Sequence, residues 1–220
     1  MIMKKGEKLV DLSSWNYPIN FHNLHIDGFT GVILRASIGK DNDAYFSEFY
    51  KLAKAAGLKV GAYHYLKGTS PEELDTIKNS SSSYAFDLPF FIDVEGRYFL
   101  EKPETILKDV EKAVEYVECS PGIYASSSMY KLCPSLRNIG CIWEANWIEG
   151  ADISDTNTTI HQYTNDCHTI GAKTPERAVD ANILLKDITA AGSEVINISN
   201  TIDNIIKELI KIKGILTNEN

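Results

Sequence analysis

Positive charge is scarce in this chain, and long apolar runs are absent. The 220 residues include 22 Lys and Arg against 30 Asp and Glu, which gives a formal net charge of −8. Such a chain has no basic stripe to meet phosphates, which argues against nucleic acid as a partner. It would not be held by charge on an anionic surface, and no stretch is long and apolar enough to span a membrane.

Cysteine is also scarce and shows no metal-binding spacing. The four cysteines form no C-x-x-C pair, and none has a histidine at a ligand spacing. We therefore expect reduced, mostly buried thiols rather than a metal centre. Residues 1–8 begin with basic side chains but lack the apolar core of a secretory signal, so we expect no signal peptide.

The pattern of apolar residues predicts an α/β fold. Short apolar runs alternate with one-faced helical patterns, as in the βαβ units that build parallel sheets. The serine run 80–83 is expected to fray the second of these helices into a loop. We predict a β/α barrel of about eight strands, with helices mainly after the first five. The predicted strands cover residues 8–13, 31–37, 58–65, 88–94, 121–125, 141–147, 159–164 and 178–182.

The strand at residues 88–94 brings two carboxylates to its end. Four apolar residues run directly into Asp93 and Glu95, and Gly96 then lets the chain turn away. Side chains alternate along a strand, so both acids point the same way with Cα atoms roughly 6.6 Å apart. Burying two like charges side by side is costly, so structural convenience explains the pair poorly. The alternative is that the two acids begin a solvated loop.

Aromatic and polar side chains stand at the ends of the other strands. Such groups beside carboxylates are typical of a sugar site, because pyranose rings stack on π systems while acids bind hydroxyl groups. We expect Trp15 to be buried in the apolar core and His64 to be a hydrogen-bonded core residue. The candidate substrate-binding residues are Arg35, Tyr63, Tyr65, Tyr124, Trp143, Gln162 and Tyr163.

Several short motifs carry a resemblance to a known family. They are Val10-Asp11-Leu12-Ser13-Ser14-Trp15, Gly61-Ala62-Tyr63-His64-Tyr65, Phe91-Ile92-Asp93-Val94-Glu95, Gln162-Tyr163 and Val179-Asp180-Ala181-Asn182. In this order and spacing they resemble the glycoside hydrolase family 25 lysozymes, N-acetylmuramidases common among phage endolysins and bacterial autolysins. The resemblance implies a flattened TIM-like barrel and hydrolysis of the β-1,4 bond between N-acetylmuramic acid and N-acetylglucosamine in peptidoglycan.

The resemblance also implies roles for individual residues. Glu95 corresponds to the general acid and Asp93 to its partner carboxylate. Asp11 and Asp180 correspond to two further acids of the site, and Tyr63 to a tyrosine that lines it. This chemistry requires no metal and no cofactor. Without a signal peptide, we expect the protein to be cytoplasmic until phage lysis or non-classical export releases it to the cell wall.

The proposed chemistry leaves two mechanisms and two other functions open. Asp93 could hold the substrate's 2-acetamido group as that group attacks the anomeric carbon, which gives retention; an acid across the cleft could instead activate water, which gives inversion. A non-catalytic glycan-binding barrel would keep the aromatics but need none of the acids. A metal-dependent barrel hydrolase would use as ligands Asp11, His64, Asp93, Glu95 and Asp180.

The end of the chain has a different pattern from the barrel. Residues 189–194 are small and form a plausible linker after a barrel domain at 1–188. Apolar residues then recur at intervals of three and four over residues 195–216, typical of a heptad seam or of an amphipathic helix packed on the barrel. We predict a helix there that joins copies of the chain into a homo-oligomer.

Overall fold

A barrel of mostly parallel strands forms the centre of this computed structural model, which describes residues 2–150, 153, 156–172 and 178–188. The strands are β1 Lys8–Leu12, β2 Phe29–Ile38, β3 Asp41–Asn42, β4 Lys59–Tyr65, β5 Phe90–Asp93, β6 Pro121–Ser126, β7 Cys141–Ala145, β8 Ile160–Cys167 and β9 Val179–Leu184. Because β1 pairs with both β2 and β9, eight strands close into a ring in the order β1, β2, β4, β5, β6, β7, β8, β9. The predicted barrel of about eight strands is confirmed.

The direction of one strand breaks the parallel pattern of the ring. Each neighbouring pair from β1 to β8 is parallel. The last strand, β9, runs antiparallel to both β8 and β1. The short β3 pairs with β2 outside the ring. The reversed strand β9 therefore contributes its first residues, rather than its last, to the end of the barrel where the other strands finish.

A helix follows each of the first five ring strands, as predicted. The helices are α1 Phe21–Ile26, α2 Phe46–Ala55, α3 Pro71–Ser82, α4 Pro103–Val114 and α5 Ser127–Leu132. In α4, a proline at the first turn is compatible with the free helix start, and one face buries Ile106, Val110 and Ala113. The helices α1 and α5 have only six residues each, too few to show a periodic apolar pattern in the sequence.

The serine-rich end of α3 corrects the sequence interpretation. We expected residues 80–83 to fray into a loop, but α3 remains helical through Ser82. The Ser80 hydroxyl donates to Ser37 Oγ at 3.2 Å, and Ser81 Oγ accepts from the backbone N–H of Glu118 at 3.0 Å. These tertiary hydrogen bonds outweigh the modest helix propensity of serine.

Two apolar cores lie on opposite faces of the barrel wall. The outer core lies between strands and helices and includes Val10, Val32 and Ile92. The inner core fills the barrel, and it contains Met3, Leu9, Ile33, Leu88, Phe91, Trp143, Ile160 and Leu184. Toward the carboxyl ends of the parallel strands, the inward side chains become polar. The barrel therefore has an apolar floor and a polar mouth at the end where sites of such folds lie.

Met1–Ile188 forms one compact unit. The predicted linker 189–194 and helix 195–216 lie outside the described residues, so the predicted oligomer stays a prediction. All four cysteines are free thiols, and Cys133 is buried. Within the described ranges, no helix has the length and apolar character needed to cross a membrane.

Candidate active site

Four carboxylates converge at the polar mouth of the barrel. Asp11 on β1 and Asp180 on β9 are direct partners in an antiparallel ladder, so their side chains leave neighbouring strands on the same face. Asp93 is the last residue of β5, and Glu95 stands two residues further, still extended at φ −150° and ψ −163°. The charges of Asp11 and Glu95 both act on Asp93, and that of Asp180 acts on Glu95. The four acids therefore form one electrostatic cluster.

The turn after Glu95 requires a glycine. Gly96 has φ +58°, and a Cβ at this position would lie 2.5 Å from the hydroxyl oxygen of Tyr65. Any other residue would strain the backbone and displace the tyrosine. Gly96 thus lets the chain leave the site abruptly while Tyr65 stays close to the turn.

Two buried amides hold Asp11. Gln162 Nε2 donates to Asp11 Oδ2 at 2.9 Å, and Asn182 Nδ2 donates to the same oxygen at 2.8 Å. Gln162 Nε2 also donates to Asp180 Oδ2 at 3.4 Å. Both amides are almost completely buried. Their hydrogen bonds fix the position of one carboxylate and link it to its neighbour on β9.

Hydrogen bonds from aromatic side chains hold the two amides in turn. The Tyr124 hydroxyl and the Trp147 indole N–H both donate to Gln162 Oε1, each at 3.0 Å. The Trp143 indole N–H donates to Asn182 Oδ1 at 2.7 Å. The aromatic groups therefore act on the acids through the amides.

Asp93 has a buried carboxyl oxygen that lacks a hydrogen-bond partner. Its side chain is buried, with 4% of the residue exposed. Among the side-chain atoms of the described residues, Asp93 Oδ1 is the one buried oxygen without a hydrogen-bond partner. A buried acceptor without a donor is costly for the fold, and such groups are concentrated where a ligand supplies the missing partner.

Burial is the first cause of a raised pKa at each of the four acids. It raises the pKa of Asp11 and Asp93 well above their usual range, and the charges of Asp180 and Glu95, respectively, raise them further. Burial and then the charge of Asp180 raise the pKa of Glu95. Burial raises the pKa of Asp180 too, although a hydrogen bond with Asp11 lowers it. The cluster is therefore built to retain protons at a pH where exposed carboxyl groups have lost them.

The sequence of this barrel matches a known family model. Residues 10–172 match the model described as glycosyl hydrolases family 25, and this range includes three of the four acids. The chain belongs to glycosyl hydrolase family 25. Its fourth acid, Asp180, lies just beyond the matched range and joins the other three through the pairing of β9 with β1.

Known proteins agree with membership of family 25. The autolytic lysozyme of Clostridium acetobutylicum is 26% identical over 217 residues, which cover 95% of this chain and 65% of the relative. The chain thus spans less than two thirds of the length of this curated relative. A family 25 glycosyl hydrolase from Bacillus anthracis has a TM-score of 0.70 at 24% identity, covering 83% of this chain and 90% of that one. A bacterial lysozyme from Streptomyces coelicolor has a TM-score of 0.70 at 20% identity, covering 87% and 96%.

Three of the predicted binding residues lie beside the acids. Tyr63, Tyr65 and Tyr124 come from β4 and β6, next to β5 on either side. Burial raises the pKa of each hydroxyl, and the charge of Asp93 contributes in all three cases. These rings supply the aromatic surface that we expected next to the carboxylates. Gln162 is also in the cluster, but as the amide that contacts two of the acids.

The other three predicted binding residues have different surroundings from the three tyrosines. Trp143 is 1% exposed and packs 4.4 Å from the ring of Tyr124, so it belongs to the floor beneath the site. Arg35 donates through Nε to Asp43 Oδ2 at 2.8 Å, and it acts on Asp93 through its charge alone. Tyr163 packs against the outer core, on the opposite face of β8 from Gln162.

His64 is a hydrogen-bonded core residue, as interpreted from the sequence. Its Nδ1 lies 2.8 Å from Ser37 Oγ, and its Nε2 lies 3.2 Å from Glu73 Oε1, in a fully buried network on the outer face of β4. The metal-dependent alternative needs this histidine beside the clustered acids, and the barrel wall separates them. In the part of the chain that the structure describes, no group of three or more potential ligands is arranged to hold a metal ion.

Trp15 corrects another expectation from the sequence. We expected this side chain to be buried in the apolar core, but the residue is 82% exposed. It lies on a short 3₁₀ turn at Ser14–Asn16, where Ser13 and Asn16 cap each other. Since β1 ends in the polar mouth, the chain after it has already left the apolar core.

Sequence reasoning missed two residues of the site, Trp147 and Asn182. Trp147 follows β7 and is 51% exposed, yet its indole contacts a buried amide. Asn182 stands two residues after Asp180 on β9, so strand alternation places both on the inner face. That alternation was a usable signal for Asn182. No local pattern pointed to Trp147, because it acts through a partner on another strand.

Proposed function

We propose that this family 25 member is a muramidase, which hydrolyses the β-1,4 bond between N-acetylmuramic acid and N-acetylglucosamine in peptidoglycan. The proposal rests chiefly on the cluster of four acids with raised pKa values at one end of the barrel. Glycosidases need a carboxylic acid that stays protonated beside a second carboxyl group. The lysozyme name of the Clostridium acetobutylicum relative supports peptidoglycan as the substrate.

Glu95 is the general acid in this proposal. It stands two residues beyond the buried end of β5 and is less buried than Asp93, so it is better placed to meet a substrate. Its raised pKa keeps the proton available for the leaving oxygen. After the bond breaks, the same group can take a proton from the incoming water.

Asp93 orients the substrate in this proposal. Its unpartnered Oδ1 can accept a hydrogen bond from the N–H of the substrate's 2-acetamido group. The acetamido oxygen then attacks the anomeric carbon as the glycosidic bond breaks and the leaving oxygen takes the proton of Glu95. Water opens the resulting ring and restores the original configuration, so the proposed course is retention.

The four acids also bear on the glycan-binding alternative. A binding barrel gains nothing from buried carboxylates whose mutual repulsion destabilises the fold. Two cross-strand acids with dedicated amide donors indicate a site built around ionisable groups. We therefore favour catalysis over binding alone.

Mass spectrometry of fragments released from purified cell-wall sacculi tests the function. A muramidase leaves N-acetylmuramic acid at the new reducing end, and E95Q protein should release no fragments. Reducing N-acetylglucosamine or free stem peptides would assign a different bond and contradict the proposal. Proton NMR of the first-formed sugar tests the course, and an initial α-anomer would rule out retention.

A further inference from the structure

The orientation of the two buried amides follows from the indole groups that contact them. An indole N–H can only donate, so the amide atom that faces it must be the carbonyl oxygen. Trp147 therefore sets Oε1 of Gln162 toward itself, and Trp143 does the same for Asn182. The NH₂ groups of both amides must then point the other way, toward Asp11.

The two amides use the full accepting capacity of one carboxyl oxygen. Asp11 Oδ2 receives N–H bonds from Gln162 at 2.9 Å and from Asn182 at 2.8 Å. A carboxyl oxygen has two lone-pair positions, and both are occupied. A proton on Asp11 must therefore sit on Oδ1.

The neighbouring acid provides the partner for that proton. Asp11 and Asp180 face each other across the antiparallel ladder, and both carboxyl groups lie within hydrogen-bond distance of the same nitrogen, Gln162 Nε2. Two ionised carboxylates held this close in a buried site repel each other, so one of the two acids retains a proton. Gln162 also spans the pair, since its Nε2 reaches both Asp11 Oδ2 and Asp180 Oδ2.

We propose that Gln162, oriented by the Trp147 indole, is a positioning residue that keeps Asp11 and Asp180 as one acid pair sharing a single proton. The pair then presents one negative charge, rather than two or none, opposite Asp93 and Glu95. Among the described residues, the other charged or titratable groups that face this region are Arg35 from β2, Tyr63 and Tyr65 from β4 and Tyr124 from β6. The positioning role of Gln162 does not depend on the proposed function, and only the kinetic test of this role does.

Trp147→Phe is the decisive variant, because it keeps an aromatic face but loses the N–H. Trp147 is half exposed, so the fold should survive the change. A freer Gln162 stabilises the ionised form of the pair less well, so the pair should release its proton at higher pH. Carbon NMR titration of aspartate carboxyl groups should show this shift. On sacculi we expect kcat to fall about tenfold, with KM changed less than about twofold.

Q162E is the second variant, and Y163F is the matched control. Q162E places a third carboxyl group beside the pair. Its like charge should also raise the pKa of the pair. Y163F removes a hydroxyl one residue along β8 but on the outer face, so neither the titration nor kcat should change.

Each outcome decides the proposal. If W147F raises KM while kcat and the pKa of the pair stay as in the wild type, Trp147 binds the sugar directly and the positioning role is wrong. If W147F changes nothing, the indole does not set the amide, and the role is equally wrong. If the wild type releases no fragments from sacculi, the proposed function fails, but the NMR titration still tests the shared proton.

Discussion

Asp93→Asn should make the protein more stable at neutral pH while removing its activity. The wild-type Asp93 residue is 4% exposed, and its carboxyl group has one oxygen without a partner and is repelled by Glu95 and Asp11. An unsatisfied buried polar group costs about 1–3 kcal/mol, and more when it is charged. The amide stays incompletely bonded but carries no charge, so we expect a net gain of about 1–2 kcal/mol. For a chain of this length, that corresponds to a rise in Tm of about 2–8 °C.

The pH dependence of this gain identifies its cause. The folded-state pKa of Asp93 is raised, so the folded protein holds the proton more tightly than the unfolded chain does. Wild-type stability should therefore fall as pH rises above the unfolded value of about 3.9, until the folded group has also ionised. Below that pH both states are protonated, and the difference between wild type and D93N should disappear.

Differential scanning calorimetry across this pH range measures the effect. D75N, at an exposed position of α3, makes the same chemical change without relief of burial and should leave Tm unchanged. If D93N gained the same Tm at acid and neutral pH, charge burial would not be the source. A neutral-pH Tm equal to or below that of the wild type would refute the reasoning.

Three further predictions concern catalysis and folding. E95Q should fold normally but lose more than about 100-fold in turnover, and a variant with a tenth of wild-type lysis would refute its role as general acid. Wild-type turnover should fall as pH rises through the raised pKa of Glu95, as a pH–rate profile on sacculi would show. R35M should destabilise the fold by about 3 kcal/mol in urea unfolding, because it removes the cationic partner of the buried Asp43 carboxylate. R35K should destabilise it less.

The sequence was most informative where local pattern and chemistry agreed. Asp93 and Glu95 were recognisable because an apolar run ended in two acids, and a run of this kind is a buried strand. The structure ends β5 at Asp93 but keeps Glu95 extended, so the expected geometry survives beyond the strand. Strand alternation also predicts that Gln162 and Tyr163, which are adjacent on one strand, cannot both face the site.

The remaining features depend on contacts between distant segments. Arg35 was predicted to bind substrate, but its guanidinium pairs with Asp43 from the loop after the β2–β3 hairpin. The exposure of Trp15 depends on where the apolar core stops, and Trp147 acts through a residue on β8. No periodicity within one segment encodes these relations.

The reversed strand β9 also makes the site a late product of synthesis. Asn182 and Asp11 are hydrogen-bonded although 171 positions separate them in the chain. Contacts between such distant segments form slowly, because a long loop must close first. A nascent chain that has not yet placed strand β9 lacks both Asp180 and the second amide on Asp11. Unfinished chains in a cell therefore lack the complete cluster of four acids, which assembles only when the ring closes.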